Sequence, residues 1–301
     1  MGTRRESFRR QGGLTGEAMP MNQFPDRSYL VDVRELEERA GAVTLLDLRP
    51  AEDFAVGHIE GARSLDIYGV SLNDSSPAPL NAFLAIFKTL FGARGVTTDK
   101  PVVIYDHESG ERAARAVWLL AVLGHPDVKL LDGGTHAWTA AGHKLSRITE
   151  APAPVDPAKA PPTPPPFKGE TNLDLLATRF DVHAAIGNKD AVIVDVRRES
   201  EHRGTEKRAR RVGTIPGAVH VFWREHIAAS GAYRPAGEIR ALYESRGVTP
   251  DKTVIPVCQG GYRSASTFIA LKSLGYPRVR NYVSSWGEWG NRDDSVIVLP
   301  P

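Results

Sequence analysis

The chain repeats itself, and that repetition constrains the fold more than any other feature. The segment VTTDKPVVIYD (Val96 to Asp106) matches VTPDKTVIPVC (Val248 to Cys258) without a gap, at an offset of 258 − 106 = 152 residues. Upstream, LLDLRPAEDF from Leu45 resembles VIVDVRRESEH from Val192. Each is followed by a similar turn, GHIEGA from Gly57 and GTIPGA from Gly213. Downstream, LLAVLGHPDVKLLDGGTHAW, ending at Trp138, corresponds to IALKSLGYPRVRNYVSSWGEW, ending at Trp289. Four paired blocks in one order require a duplicated unit, and 301 residues suffice for two domains that each bury a core.

Within each copy the short runs LLDL, VVIY, VKLL and VIVD, VIPV, VRNYV are β-branched and apolar, as buried parallel strands are. The segments ERAARAVWLLAVLG and RSASTFIALKSLG have helical spacing and end at glycine. Strands alternating with helices predict an α/β chain of two tandem domains, each a parallel sheet flanked by helices. Between the copies lies EAPAPVDPAKAPPTPPPF (Glu150 to Phe167), whose proline density forbids a helix and favours an extended, semi-rigid connector. The expected organisation is a disordered leader at 1–20, a first domain at 21–149, a linker at 150–167 and a second domain at 168–301.

Composition narrows the setting. A net charge of +2 gives no reason to expect nucleic acid or a membrane as a partner, and no stretch is apolar enough to span a bilayer. The leader MGTRRESFRRQGGLTGEAMP is rich in Arg and Gly with no apolar core, which excludes a secretory signal. A single cysteine, Cys258, rules out an internal disulfide and a thiolate-rich metal site. A lone free thiol fits a reducing compartment, most simply the cytoplasm.

The chemistry is expected in VIPVCQGGYRSASTFIALKSLG, from Val254 to Gly275. A buried strand ends at Val257, a glycine-bearing loop follows, and a helix begins near Ser264. Ligands of open α/β folds sit beyond the carboxyl ends of the strands, where Cys258 is the first loop residue. Gly260 and Gly261 let successive N–H groups curl inward as an anion-binding nest. The helix N-terminus adds a partial positive charge, and Arg263 a full one. A thiol in such surroundings ionises readily, and the thiolate is the nucleophile. The bland alternative, a cysteine acting as a small core hydrophobe, leaves the glycine pair, the arginine and the strand-to-helix position unexplained.

CQGGYRSA, together with DVRRESEHRGTE, GTIPGAVHV and YVSSWGEWGNRDDSV, resembles the rhodanese superfamily, and more narrowly the tandem-domain bacterial thiosulfate sulfurtransferases. The resemblance covers nearly the whole chain from about Met21 onward. It implies that the second domain is catalytic and that the first has lost its cysteine; Asp106, in YDHESGERAAR, stands at the matching position. It further implies a ping-pong reaction without cofactor or metal. Cys258 takes the outer sulfur of thiosulfate, a small anionic donor, and holds it as a persulfide. It then passes the sulfur to cyanide or a thiol. Gln259, Gly260, Gly261, Tyr262, Arg263 and Ser264 form the substrate loop. That loop is like the one in many single-domain members, and Glu201 stands where tandem members carry a second substrate-binding arginine, so 3-mercaptopyruvate is the alternative donor.

Further candidates surround the loop. Asp195 and Arg197 recur as Asp47 and Arg49 in the first copy, which favours a structural ion pair over a pocket role for Arg197. Glu201 is expected to pair with Arg263. Trp286, with no aromatic counterpart in the first copy, is the better pocket candidate, whereas Trp289 matches Trp138 and is assigned to packing; Trp223 is left open between the two roles. The second copy carries an insertion, RGTEKRARR (Arg203 to Arg211), which is either a positive rim or a solvated loop. Two rival functions remain. A cysteine phosphatase needs five residues between cysteine and arginine to ring a phosphate, where this loop has four. A non-catalytic sulfide-binding module would not need the intact cysteine loop.

Overall fold

The computed structural model describes residues 24–149 and 164–300. The expected leader and most of the proline-rich segment fall outside those residues. The first domain contains strands β1 (Leu30–Val31), β2 (Thr44–Asp47), β3 (Arg63–Ser64), β4 (Val102–Tyr105) and β5 (Val128–Leu131). Between and after them come helices α1 (Val33–Glu38), α2 (Ala51–Val56), α3 (Pro77–Ala93), α4 (Glu111–Val122) and α5 (Gly134–Ala140). The strands form one parallel sheet in the order β1-β5-β4-β2-β3.

The second domain repeats this plan with β6 (Leu176–Ala177), β7 (Ala191–Asp195), β8 (Val219–His220), β9 (Thr253–Val257) and β10 (Asn281–Tyr282). Its helices are α6 (Arg179–Ala185), α7 (Glu199–His202), α8 (Ala236–Glu244), α9 (Arg263–Ser273) and α10 (Ser285–Trp289). Here the sheet is in two pieces, β8-β7-β9 and β10-β6, joined where the Val254 N–H donates to Arg278 O and Arg280 N–H to Val254 O. Alternate residues of a central parallel strand donate to opposite neighbours. The next donor of β9 toward β10 after Val254 is residue 256, a proline without an N–H. The first-domain residue at that position, Ile104, pairs normally with Leu130.

Side chains alternate faces along each strand, and this divides the core into three parts. Val103 and Tyr105 of β4 pack under the outer face of the first domain, and Ile255 and Val257 of β9 under that of the second. Val102, Ile104, Val254 and Cys258 face the other way, into one core that runs through both domains. The seam is α4 against α9. Residues 113–122 of α4 and all of α9 but Lys272 are buried, the apolar run of α4 meeting Phe268, Ile269 and Leu271 while α9 also buries Ser264, Ser266 and Thr267. Each large aliphatic side chain buried there stabilises by about 1.5–3 kcal/mol. The exposed Arg224–Glu108 ion pair across the seam contributes under about 1 kcal/mol. The helix pair holds the domains together.

Polar ties fix the register of that seam. Trp118 Nε1 donates to Leu175 O at 2.9 Å, the Ser75 N–H to Glu288 Oε1 at 2.8 Å, and the Tyr233 N–H to Asp132 Oδ1 at 2.9 Å. The connector's end also lies on the first domain. Phe167 is buried and its N–H donates to Lys88 O at 2.8 Å.

Candidate active site

Cys258 is the first residue past β9, and α9 starts at Arg263. Its thiol is buried at 1% exposure, yet it lines a cavity of about 570 Å³ between the domains. The Ser264 hydroxyl donates to Sγ at 3.3 Å, and the Ser285 hydroxyl lies 3.9 Å from it. Burial alone pushes the thiol pKa up. The Arg263 charge, the Ser264 hydroxyl and the backbone N–H groups of Ser264 and Gly260 overrule it, so the net shift is downward. The site therefore favours a thiolate.

Arg263 is held by Glu201, with Nη1 to Oε2 at 2.5 Å and Nη2 to Oε1 at 2.9 Å. This is a two-point guanidinium–carboxylate pair that fixes orientation as well as charge. Glu201 is buried, which raises its pKa, but the bond and charge of Arg263 prevail and the carboxyl is held below its ordinary value. The expected pairing of Glu201 with Arg263 is present.

The loop backbone is clamped by a turn with no signature among the residues around it. The Cys258 N–H donates to Ser285 Oγ at 3.0 Å, while the N–H groups of Trp286 and Gly287 donate to Cys258 O and Gln259 O. Ser285 has φ +50°, the one left-handed non-glycine residue among those described, a conformation costing about 1 kcal/mol or more. Gly261 (φ +80°) could not be another residue without strain, because a Cβ there would lie 2.6 Å from Val283 O.

The other predicted residues divide. Gln259, Gly260, Tyr262, Arg263 and Trp223 line the cavity with Cys258. Arg197, Glu201 and Trp286 do not, which corrects the pocket role expected of Trp286 and leaves Arg197 in the structural ion pair favoured for it. Arg197 is bound to Asp195 at 2.6 Å and to Gly213 O at 2.7 Å, and its guanidinium lies 4.2 Å from the Trp286 ring centroid. Both are spent on the domain's own core, and Arg49 repeats the pairing with Asp47 in the first copy. Of the basic insertion only Arg208 reaches the cavity. Arg210 pairs with Asp293, and Arg211 donates to the carbonyls of Arg292 and Ser295.

One wall comes from the first domain, and sequence reasoning missed it. Tyr68, Gly69, Ser71 and Asn73, after β3, and Glu111, the first residue of α4, face Cys258 across the cavity. Tyr262 ties the walls together, its hydroxyl donating to Ile67 O at 2.8 Å and accepting the Gly69 N–H at 3.0 Å. Behind its ring, 3.8 Å from the centroid, lies the fully buried guanidinium of Arg115, flanked by Phe83 and Phe87. None of its three side-chain nitrogens has a hydrogen-bond partner among the described residues. Burial pulls its pKa down to about 10, against the charges of Tyr262 and Cys258. A charged residue inside the apolar run of ERAARAVWLLAV was the available signal.

Asp106 occupies the position after β4 that Cys258 occupies after β9. Its carboxylate accepts the N–H groups of Glu108, Gly110 and Ala113 at 3.1, 3.2 and 3.0 Å. The first copy thus fills its own amide nest.

The fold and this loop define a class, and comparison with known proteins agrees. The rhodanese-like domain family matches residues 26–141 and 178–292. The chain belongs to the rhodanese family. It is 37% identical over 281 residues to a thiosulfate sulfurtransferase of Pseudomonas aeruginosa, covering 93% of this chain and all of that one. It is 35% identical to a thiosulfate sulfurtransferase of Azotobacter vinelandii with the same coverage. The sulfur carrier protein TtuD of Thermus thermophilus is 34% identical over 79% of this chain and 84% of its own. Among solved structures, the anaerobic ergothioneine biosynthesis enzyme of Chlorobium limicola superposes with a TM-score of 0.78 at 21% identity. The match covers 94% of this chain and 72% of that one, a likeness of fold.

Proposed function

We propose that this chain is a sulfurtransferase that carries sulfane sulfur as a persulfide on Cys258, with thiosulfate as donor. The observation that carries this reading is the thiol's setting. A buried sulfur at the mouth of an open α/β site is surrounded by Arg263, the Ser264 hydroxyl and the N–H groups of Ser264 and Gly260, which outweigh burial and lower its pKa. The Cys258 thiolate attacks the outer sulfur of thiosulfate. A new S–S bond forms as the old one breaks, and its electron pair leaves with sulfite. The same donors then hold the terminal sulfur of the persulfide anion, stabilising its charge with groups already in place. Attack by cyanide or a thiol on that sulfur returns the electron pair to Cys258.

Thiosulfate as donor is supported by the names of relatives that match 93% of this chain at 35–37% identity. In this reading the second domain, 168–301, does the chemistry. The first, 21–149, supplies a wall and holds no sulfur, because Asp106 stands at the cysteine position. A reducing compartment such as the cytoplasm would keep the lone thiol available; among the described residues no helix is long and apolar enough to cross a membrane.

The test is mass spectrometry after exposure to thiosulfate or to 3-mercaptopyruvate, in parallel with Cys258→Ser. One added sulfur on Cys258 from thiosulfate, absent in the variant, is the expected result. Loading by 3-mercaptopyruvate alone would overturn the donor assignment, and no loading by either would overturn the persulfide itself.

A further inference from the structure

The first domain holds a second cavity, at the amino ends of β2, β3 and β4 and so at the opposite end of those strands from Asp106. It measures about 660 Å³, inside the range of sites that hold organic ligands. The end of α1, the start of β2 and the turn before β3 form its walls, with Trp138 and His143 on one side. Those two rings are stacked, their centroids 4.3 Å apart, and Trp138 is only half-buried.

The second copy shows the same place filled. There β6 and α6 match β1 and α1 at an offset of 146 residues, because the helix caps coincide. The capping box of Asp32 and Glu35 is repeated by Thr178 and Asp181 (178 − 32 = 181 − 35 = 146). Glu37 thus becomes His183, whose ring lies 4.4 Å from that of Trp289, and Ala40 becomes Ile186, packed on the second domain's outer core. Trp289, the counterpart of Trp138, is fully buried. The hollow left there is about 370 Å³, with no aromatic residue in its lining. In the first copy Glu37 and Ala40 are exposed, and the indole stays open to the cavity.

Charge separates the two copies as well. Lys100 and Lys252 correspond at the offset of 152, and Lys252 Nζ donates to Gly247 O at 3.1 Å. Lys100 Nζ has no hydrogen bond or ion pair among the described residues. Lys144 corresponds to Val296, an alignment fixed by the antiparallel bridges His58–Ser146 and Thr214–Val298 (298 − 146 = 152). Its Nζ too is unpaired among the described residues. The other charged groups of the lining are Arg63, which donates to Arg94 O, and the exposed Glu60, while His143 Nε2 stands 3.9 Å from Glu37. Three cations therefore meet one carboxylate around the stacked rings, and two of those cations are unspent.

We propose that this cavity binds a planar aromatic compound bearing an anionic group, with its ring against Trp138 and His143 and its acid on Lys100 and Lys144. Offset stacking and burial hold the ring. Lysines supply charge as mobile points instead of a rigid fork, so the cavity accepts a carboxylate or a phosphate. The site stands apart from the sulfur chemistry, since none of its lining residues borders the cavity of Cys258.

The test titrates the full chain with 2-naphthoate and adenosine monophosphate, with their neutral counterparts 2-naphthamide and adenosine, and with the non-aromatic cyclohexanecarboxylate. Calorimetry gives the affinities. Indole N–H resonances of isotope-labelled protein locate the ligand, assigned by the signals missing from Trp138→Phe and Trp223→Phe. At least one aromatic anion is expected to move the Trp138 signal and leave that of Trp223, in the Cys258 cavity, in place. It should bind about tenfold more tightly than its neutral counterpart and than cyclohexanecarboxylate. The better of the two anions identifies the acid as carboxylate or phosphate. Ala40→Ile, which installs the second copy's filler, should weaken both aromatic anions about tenfold. Lys144→Val should bring the anions down to the level of their neutral counterparts without changing the latter. Both positions are exposed, so an unaltered Tm is expected for each variant. A Trp138 signal that no ligand moves, movement confined to Trp223, or affinities that neither variant changes would overturn the proposal.

Discussion

Replacing Arg115 by methionine removes a charge from the domain seam while keeping a side chain of similar length against Phe83 and Phe87. The guanidinium is fully buried, without a hydrogen-bond partner among the described residues, and its pKa is held down to about 10 from 12.5. At about 1.4 kcal/mol for each tenfold change in the proton equilibrium, that surrounding disfavours the charged form by about 3 kcal/mol. Stacking on Tyr262 at 3.8 Å returns about 1–2 kcal/mol. Methionine is therefore expected to stabilise the sulfur-free protein by about 1–2 kcal/mol, a rise in Tm of roughly 2–6 °C for domains of this size. The same change takes a positive charge from the vicinity of Cys258, so the thiol pKa should rise and the pH profile of alkylation by iodoacetamide should move upward. A more stable protein with a less acidic thiol is the predicted pair of results. A Tm lower by several degrees, with the alkylation profile unmoved, would refute the view that Arg115 is kept at a cost to stability for its effect on the sulfur.

Two further predictions concern the surroundings of the site. His226 is buried between Tyr243 Oη (2.9 Å) and Ser266 Oγ (3.0 Å), and burial, then the Arg224 charge, pulls its pKa down to about 3 from 6.5. The unfolded chain takes up this proton below pH 6.5 and the folded one does not. Stability is thus fully present above pH 6.5 and falls as pH drops toward 3, by up to about 1.4 kcal/mol per pH unit from this group. Urea midpoints measured from pH 7 to 4.5 should fall less steeply for His226→Gln, and parallel losses would count against the assignment. Gly261→Ala is expected to cost about 1–3 kcal/mol, because it combines φ +80° with a Cβ 2.6 Å from Val283 O. Gly260→Ala, whose Cβ meets nothing nearer than 3.5 Å, should leave the urea midpoint within error of the unaltered protein, and equal midpoints for the two variants would contradict the geometry.

What the sequence made legible was whatever is local or repeated. The runs VVIY and VIPV became β4 and β9 because period-2 burial and β-branching are written in consecutive residues. The loop from Cys258 to Ser264 took the expected form for the same reason, whereas the Glu201–Arg263 pair, 62 residues apart, was legible from charge complementarity alone. The first-domain wall was hidden because an internal repeat shows that two copies exist, not which faces meet. Tyr68 and Glu111 stand 190 and 147 residues from Cys258 in sequence and meet it only through the packing of α4 on α9. Trp286 was misplaced because aromatic character says nothing of direction. Its ring covers Arg197 instead of the cavity, a choice set by which face of the short α10 turns inward. Ser285 escaped notice because a left-handed serine leaves no mark in the sequence around it.

The carboxylate of Asp106 gives the molecule an asymmetry in time as well as in chemistry. In the proposed cycle the loop after β9 alternates between a thiolate and a persulfide one atom longer, and its donors accommodate both. The loop after β4 closes on a carboxyl of its own, bound by the N–H groups of Glu108, Gly110 and Ala113 while burial pushes its pKa up. The first copy's nest is filled from within, and in the proposed cycle the change of sulfur state falls on the residues from Cys258 to Ser264.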